Sequence, residues 1–262
     1  MNLHHPKSCR FYCISLSEQS ERHQHISSLG RQWDVAIEFV PAIAGPALSE
    51  QDVKASGYFW HPGLTRGPLN VNEVACLLSH RQALASFLQS DAEYAVILED
   101  DAEFDQRLLD VLPRLAEIPL WDVVKLEHRF EQMNGYSVVH CQDTQIIVPS
   151  RPGLGSTGIL YRRLGAQKVL QMSQKFSAAF DTQFNFAWRY RLNLLQLYPS
   201  LVWESQSFKT SIGNRPSKPI RRNLFNKISQ RFGRWQMSLM RKKHARQTAR
   251  TIRRACARLG LR

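Results

Sequence analysis

No Asp or Glu occurs from residue 205 to the end of this chain, a stretch that holds 17 Lys and Arg. The first 204 residues carry all 22 acids against 18 Lys and Arg, so a body of net −4 is joined to a tail of +17. The overall charge of +13 describes neither part. A tail of that kind implies an anionic partner: a membrane surface, nucleic acid or an acidic glycolipid. Long apolar runs are also missing. Nothing approaches the ~20 residues that a membrane-spanning helix needs. The opening MNLHHPKSCRFYCISLSEQ lacks the apolar centre of a signal peptide. The expectation is a soluble, cytoplasmic protein, peripheral on the inner face of the inner membrane if its tail binds lipid. No two of the five cysteines (Cys9, Cys13, Cys76, Cys141, Cys256) stand at the CxxC spacing of a zinc or redox site. Their odd number and the strand-like setting of Cys9 and Cys13 read as buried free thiols in a reducing compartment.

What is present is enough for a sizeable core. The apolar fraction is 43%, with six Trp and thirteen Phe, which excludes a largely disordered chain. A length of 262 residues suits one large domain, or one domain with an appendage. The pattern predicts a strand over 11–16, a helix from about Ser17 to Leu29, a strand over 35–40, and turn chemistry in PAIAGP (41–46). Residues 46–69 read as a long irregular loop. Asn70 three residues before Glu73 makes a capping box, and Val74, Leu77, Leu78, Leu84 and Leu88 continue at helical spacing, predicting a helix over 72–89. YAVIL (94–98) reads as a buried strand. A helix over 104–118, kinked or split at Pro113, strands over 122–126, 136–140, 144–148 and 159–161, and a helix over 164–175 follow. Alternating strands and helices indicate an α/β domain over 1–215. Residues 216–262 read as a basic helical tail of two amphipathic helices, 221–243 and 245–259, with Leu224, Ile228, Phe232, Trp235 and Leu239 as the first apolar stripe.

The acidic triplet Glu99-Asp100-Asp101 leaves the YAVIL strand directly. Ligands of open α/β sheets bind beyond the carboxyl ends of strands, and adjacent carboxylates there favour a hard cation. Alone, the triplet fits a solvated acidic turn equally well. GLGSTG (153–158) matches G-x-G-x-x-G, but its last glycine opens an apolar run instead of a helix. No acid follows until Asp181, which argues against a dinucleotide cofactor. The glycines suit close backbone approach. At helical spacing Glu73, Cys76 and His80 share a face, and His80 alone reads as a hydrogen-bonded structural histidine. Asp181, among Phe180, Phe184 and Phe186, reads as readily as a helix cap as a functional acid.

Taken together, FYCISLSEQSERHQHI (11–26), FVPAIAG (39–45), NEVACLLSHRQAL (72–84), YAVILEDDAEF (94–104), DVVKLE (122–127) and GSTGILYRRLGAQKVL (155–170) resemble glycosyltransferase family 25, the lipooligosaccharide-biosynthesis galactosyltransferases and their relatives. The resemblance runs over roughly 11–212 with every block in order. The 46–69 spacer and the basic tail lie outside its motifs.

The resemblance implies a GT-A-like, Rossmann-type single domain with a mostly parallel mixed sheet. It implies transfer of a hexose, galactose first, from a nucleotide sugar such as a UDP-sugar to a glycolipid or oligosaccharide acceptor, with inversion. Glu99-Asp100-Asp101 stands at the family's D-x-D-like position. Asp101 would then contact Mn²⁺ or Mg²⁺ directly, with Glu99 facing the ribose or a metal-bound water. Ser79, His80 and Arg81 would shape the donor pocket, and Gly155, Thr157 and Gly158 the acceptor side. Inversion needs a general base. Asp181 matches an acid of the family, with Glu127, Glu131 and Asp143 as competitors. The alternative reading is a nucleic-acid- or membrane-binding protein whose tail is the functional part and whose transferase-like domain is inactive. The acidic body argues against nucleic acid. Another Mg²⁺-dependent phosphate enzyme on an α/β fold leaves the ordered blocks unexplained.

Overall fold

The computed structural model describes residues 9–17, 20–60, 67–127, 134–141, 143–208 and 224–261, with side chains of the last stretch described at 233 and 235–261. Glu131, Arg221 and Arg222 lie outside the described residues. So do the side chains of Leu224, Lys227, Ile228, Arg231, Phe232 and Arg234.

The first strand, β1 (Cys9–Ser15), shows how the sheet organises the core. Its residues alternate between two faces, as the two-residue period of a strand requires. Phe11 and Cys13 enter one apolar cluster, while Tyr12 and Ile14 enter the other. Strand β3 (Tyr94–Glu99) repeats this, with Val96 and Leu98 on one side and Ala95 and Ile97 on the other. A strand covered on both faces needs no polar alternation, which is why YAVIL reads as a continuous apolar run.

The remaining strands are β2 (Ile37–Pro41), β4 (Ala102–Phe104), β5 (Val123–Lys125), β6 (Gly135–Cys141), β7 (Thr144–Pro149), β8 (Gly158–Arg162), β9 (Leu194–Tyr198) and β10 (Val202–Glu204). Eight form one sheet in the order β2-β1-β3-β8-β5-β9-β7-β6, and β10 pairs with β4 separately. The pairings leave β8 and β7 running against the other six. The sheet is mixed, with most strands pointing one way, as expected of this fold class.

Helices cover both faces. On one side lie α1 (Glu21–Gln32), α4 (Gln106–Glu117) and the second half of α7 (Leu224–Arg258). On the other lie α3 (Val71–Gln89), α5 (Arg163–Ser173) and the short α6 (Phe180–Gln183). A further short helix, α2 (Glu50–Ala55), occupies part of the segment expected to be irregular. The N-terminus of α3 is closed by the anticipated capping box: Glu73 donates its N–H to Asn70 Oδ1 at 2.8 Å, and Asn70 returns its own to Glu73 Oε2 at 2.9 Å. Such reciprocal caps satisfy two otherwise orphaned donors.

Three expectations are corrected. The helix placed over 104–118 begins later, at Gln106, because residues 102–104 pair with β10. It then runs through Pro113 without splitting. The stretch after α5, assigned no element, holds α6, a 3-10 turn over Phe184–Tyr190, β9 and β10. The tail is one helix of 35 residues in place of two. Its core-facing stripe is Ala245, Ala249, Ile252 and Cys256, in which the two alanines let the helix lie close to the sheet. Among the described residues no helix is long and apolar enough to cross a membrane.

The connections place the ligand crevice. From β1 the chain passes through α1 to β2 on one side, then through α3 to β3 on the other. Strand order therefore reverses between β1 and β3, and such a switch point leaves a crevice at the carboxyl ends of the strands. Glu99 pairs with Ile14 there.

Candidate functional site

A cavity of about 290 Å³ opens at this switch point. Its walls come from the ends of β1 and β3, the 42–46 turn after β2, the buried face of α3, Arg22 of α1 and Glu204 of β10. Among the described residues, Glu99, Asp100, Asp101 and Glu204 face it together with one guanidinium, that of Arg22. Arg22 Nη1 donates to Asp100 Oδ1 at 2.7 Å and to Asp101 Oδ2 at 3.2 Å, and all three side chains are largely buried. Among the described residues that line it, one positive charge faces four carboxylates.

Asp101 carries the consequence. Burial first, and then the charge of Glu99, lift its carboxyl to about 6, against the opposing pull of Arg22. Its Oδ1 is buried and has no hydrogen-bond partner. A partnerless carboxylate oxygen within an anionic cluster fits a hard divalent cation, whose preferred ligands are carboxylate oxygens. The residues expected to bind such an ion therefore suit it.

Glu99 is held from two sides. Ser156 Oγ donates to its Oε1 at 2.5 Å, and His80 Nε2 lies 3.1 Å from the same oxygen. The imidazole is buried and stacks on Phe180, with ring centroids 4.0 Å apart and planes inclined by 11°. Ser79, one residue earlier, accepts the Ile43 N–H at 2.8 Å and donates to Ala75 O at 2.8 Å. It thus fastens the 42–46 wall to α3. Cys76 also faces the cavity. Burial, with Glu99 next in weight, pushes its thiol well above the usual range.

Other expected residues fall elsewhere. Arg81 does not line the cavity. Consecutive residues on a helix are turned by about 100°, and the guanidinium reaches away to Ser173 Oγ at 3.1 Å and Ser56 O at 2.8 Å, over the ring of Phe176. Asp181 and the glycine block also sit outside the cavity wall, behind Glu99. Asp181 Oδ2 accepts the N–H of Gly155, which has φ +92°, at 3.0 Å, and its Oδ1 accepts from Thr182 at 3.0 Å. Thr157 is buried, and its carbonyl accepts the Glu99 N–H at 2.9 Å. At Gly158 an added Cβ would lie 2.6 Å from Val202, so β8 can approach β10 only without a side chain there. Glu127, the second choice for the base, is buried in the same region, and Asp143 is exposed at the β6–β7 turn.

Four contributors were not foreseen: Arg22, Ser156, Glu204 and Lys125. Lys125 is fully buried, and its ammonium donates to the carbonyls of Gly153 and, at 2.7 Å, Gly155. With the Asp181 bond and the Gln196 Oε1 bond to Gly153 N, it holds the turn that carries Ser156. A lysine inside the apolar strand DVVKLE was the available signal, because a buried ammonium needs partners.

The sequence profile of glycosyltransferase family 25 (LPS biosynthesis protein) matches residues 9–184, and the chain belongs to that family. A glycosyltransferase 25 family member of Aedes aegypti is 25% identical over 168 residues, covering 61% of this chain and 27% of that protein. Procollagen galactosyltransferase 2 of Mus musculus is 24% identical over 173 residues, covering 64% and 27%. A probable inactive glycosyltransferase 25 family member 3 of Rattus norvegicus is 26% identical over 175 residues, covering 61% and 29%. The chain thus matches only about a quarter to a third of the length of these curated relatives. Among solved structures, A197 from STIV overlays with a TM-score of 0.38 at 15% identity, covering 74% of this chain and 82% of that one, too slight a likeness to carry an argument.

The raised carboxyl of Asp101 has a thermodynamic signature. A carboxyl whose pKa is higher in the folded chain binds its proton more tightly there, so the proton favours folding and ionisation opposes it. Stability should fall as pH rises from 3.8 to about 6, then level off. The total is at most about 3 kcal/mol, from 1.36 kcal/mol per pKa unit. Melting temperatures in chelator across pH 4–8 should show this decline in the parent chain and lose it in Asp101→Asn. Identical profiles would contradict the account.

Proposed function

We propose that this chain transfers a hexose, galactose before others, from a nucleoside-diphosphate sugar such as a UDP-sugar to a hydroxyl of a cell-surface glycan. The acceptor class is a lipooligosaccharide, a related glycolipid or an oligosaccharide. The observation that carries this reading is the anionic cavity at the β1/β3 switch point, where Asp101 keeps a buried, partnerless oxygen. The description of family 25 as LPS biosynthesis supports the acceptor class, and relatives named procollagen galactosyltransferase support the sugar alone.

Asp101 and Glu99 would hold Mn²⁺ or Mg²⁺. When bound, the ion offsets the negative charge that develops on a departing nucleoside diphosphate. The chain's own residues do the rest. Arg22 holds Asp100 and Asp101 in place. His80 and Ser156 orient Glu99. Ser79 keeps the 42–46 wall against α3, and Arg81 braces that helix from behind. Gly155, Thr157 and Gly158, assigned to the acceptor side, act there through backbone, since the Thr157 carbonyl holds the Glu99 N–H. Asp181 is assigned the proton of the attacking hydroxyl, giving inversion at the anomeric carbon, which requires the acceptor to enter on the glycine-block side of Glu99, outside the nucleotide cavity. Its bond from Gly155 N–H fixes the orientation of the carboxylate.

The rival reading, an inactive transferase domain, draws on the relatives named inactive. Steady-state kinetics with a nucleotide sugar and direct donor-binding measurements separate the two. Transfer should need Mn²⁺ or Mg²⁺ and fall by about 10²–10³ in Asp101→Asn, the scale of losing one charge-stabilising group. Asp181→Asn should lower kcat by about 10²–10⁴ with donor affinity kept. Retained kcat with a raised KM makes Asp181 a brace for the glycine turn. Full activity in chelator, or of Asp101→Asn, defeats the metal assignment.

The tail completes the proposal as the part that meets an anionic membrane, at the inner face of the inner membrane. About a quarter turn from its buried stripe, α7 presents an exposed face. Trp235 is 57% and Leu239 46% exposed there, and Lys242, Arg246 and Arg250 continue the same face toward the C-terminus, whereas Arg253 turns to donate to Ser137 O. Arg241 does not belong to this face, since it is half-buried against Asn185. Each basic residue contributes about 1 kcal/mol at an anionic leaflet, and the apolar pair adds insertion. Flotation with phosphatidylglycerol vesicles should recover the intact protein at low salt, and pure phosphatidylcholine should not. Reversing the charges of Lys242, Arg246 and Arg250 should abolish recovery. Equal flotation of parent and variant removes this part of the proposal.

A further inference from the structure

The donor cavity contains a second set of ligand atoms of different chemical character. Cys76 and His80 stand one turn apart on α3, a spacing that aims two side chains at one point. Glu99 reaches the same place from the end of β3. The Cys76 sulfur, an imidazole nitrogen of His80 and a carboxylate oxygen of Glu99 all lie within 4.8 Å of one another. The imidazole is 1% exposed, and its Nδ1 is buried without a hydrogen-bond partner. Cys76 takes no part in the chemistry proposed above, and its surroundings are anionic: Glu99, Asp181, Glu73 and Asp101 all bear on the thiol. That field disfavours a bare thiolate and favours a dication beside it.

Hardness separates this set from the acidic triplet. Sulfur and imidazole select Zn²⁺ and other borderline ions, whereas Mn²⁺ and Mg²⁺ prefer oxygen. Ligand atoms around a tetrahedral zinc stand about 3.3–3.6 Å apart, given Zn–S and Zn–N lengths of about 2.3 and 2.0–2.1 Å. Side-chain rotation therefore has to draw the three atoms in by about 1 Å, within the reach of a Cys rotamer and a carboxylate.

We propose that Cys76, His80 and Glu99 bind Zn²⁺ through three protein ligands, with the fourth position open to the cavity, and that this ion excludes the donor by taking Glu99. Binding releases the Cys76 proton to solvent and forms a zinc–thiolate bond, with no change of oxidation state. Inhibition rests on the transferase reading above, whereas binding does not. The protein then has two cation sites sharing one carboxylate, and a rise in free Zn²⁺ would switch the transferase off.

Co²⁺ reports such a site through thiolate-to-metal charge-transfer absorption. Metal-stripped full-length protein titrated with Co²⁺ should develop that band at one equivalent, and Zn²⁺ should displace it. Cys76→Ser should lose the band and bind Zn²⁺ at least about tenfold more weakly. Asp101→Asn should keep both band and affinity. No thiolate band, unchanged Zn²⁺ affinity in Cys76→Ser, or loss of Zn²⁺ binding in Asp101→Asn would each overturn the proposal, the last by placing the ion at the acidic triplet. Zn²⁺ binding without loss of transfer would overturn the inhibitory half alone.

Discussion

Glu99, Asp100, Asp101 and Glu204 crowd the floor of one cavity, and among the described residues Arg22 is the cation set between them. Much of the surrounding structure manages that repulsion. Buried carboxylates cost several kcal/mol each unless they are paired or hydrogen-bonded. Arg22 accordingly reaches across from α1 to two of them, while Ser156 and His80 satisfy Glu99. Ser156 holds its place because Lys125, Asp181 and Gln196 pin the preceding glycine turn by its backbone. The residual strain stays at Asp101, whose raised carboxyl and partnerless oxygen mark where positive charge is wanted.

The parts of this that local chemistry encodes were legible in the sequence. Asn70 and Glu73 announced the start of α3, and YAVIL running into Glu99 announced a buried strand ending in acid. The last glycine of the 153–158 block opens a strand, and Gly158 allows the close approach of β8 to Val202. What local pattern cannot show is pairing at long range. Glu204 reaches the site only because β10 pairs with β4, two three-residue strands about a hundred positions apart. Arg22 likewise depends on α1 packing beside the end of β3.

Two misreadings have simpler causes. His80 and Arg81 were assigned to one pocket, though neighbours on a helix point about 100° apart, and the guanidinium went to Ser56 and Ser173. The tail was divided in two because its large apolar residues fade after Leu239. The helix continues, and its small residues Ala245 and Ala249, with Ile252 and Cys256, enter the core instead. The sheet thereby anchors a rod whose basic outer face stays open to solvent. Fold and tail are coupled by that packing, which joins the basic second half of α7 to the acidic body.

The central claim is that the anionic cavity binds a nucleotide sugar together with a hard cation. It is tested most directly by thermal shift of the intact protein against a panel of nucleotide sugars, with and without Mn²⁺. A ligand that binds only the folded state raises the melting temperature in proportion to its occupancy. The account predicts a rise with a UDP-hexose that needs Mn²⁺ and disappears in Asp101→Asn. A rise of equal size in chelator, or none with any nucleotide sugar in the presence of Mn²⁺, would contradict it.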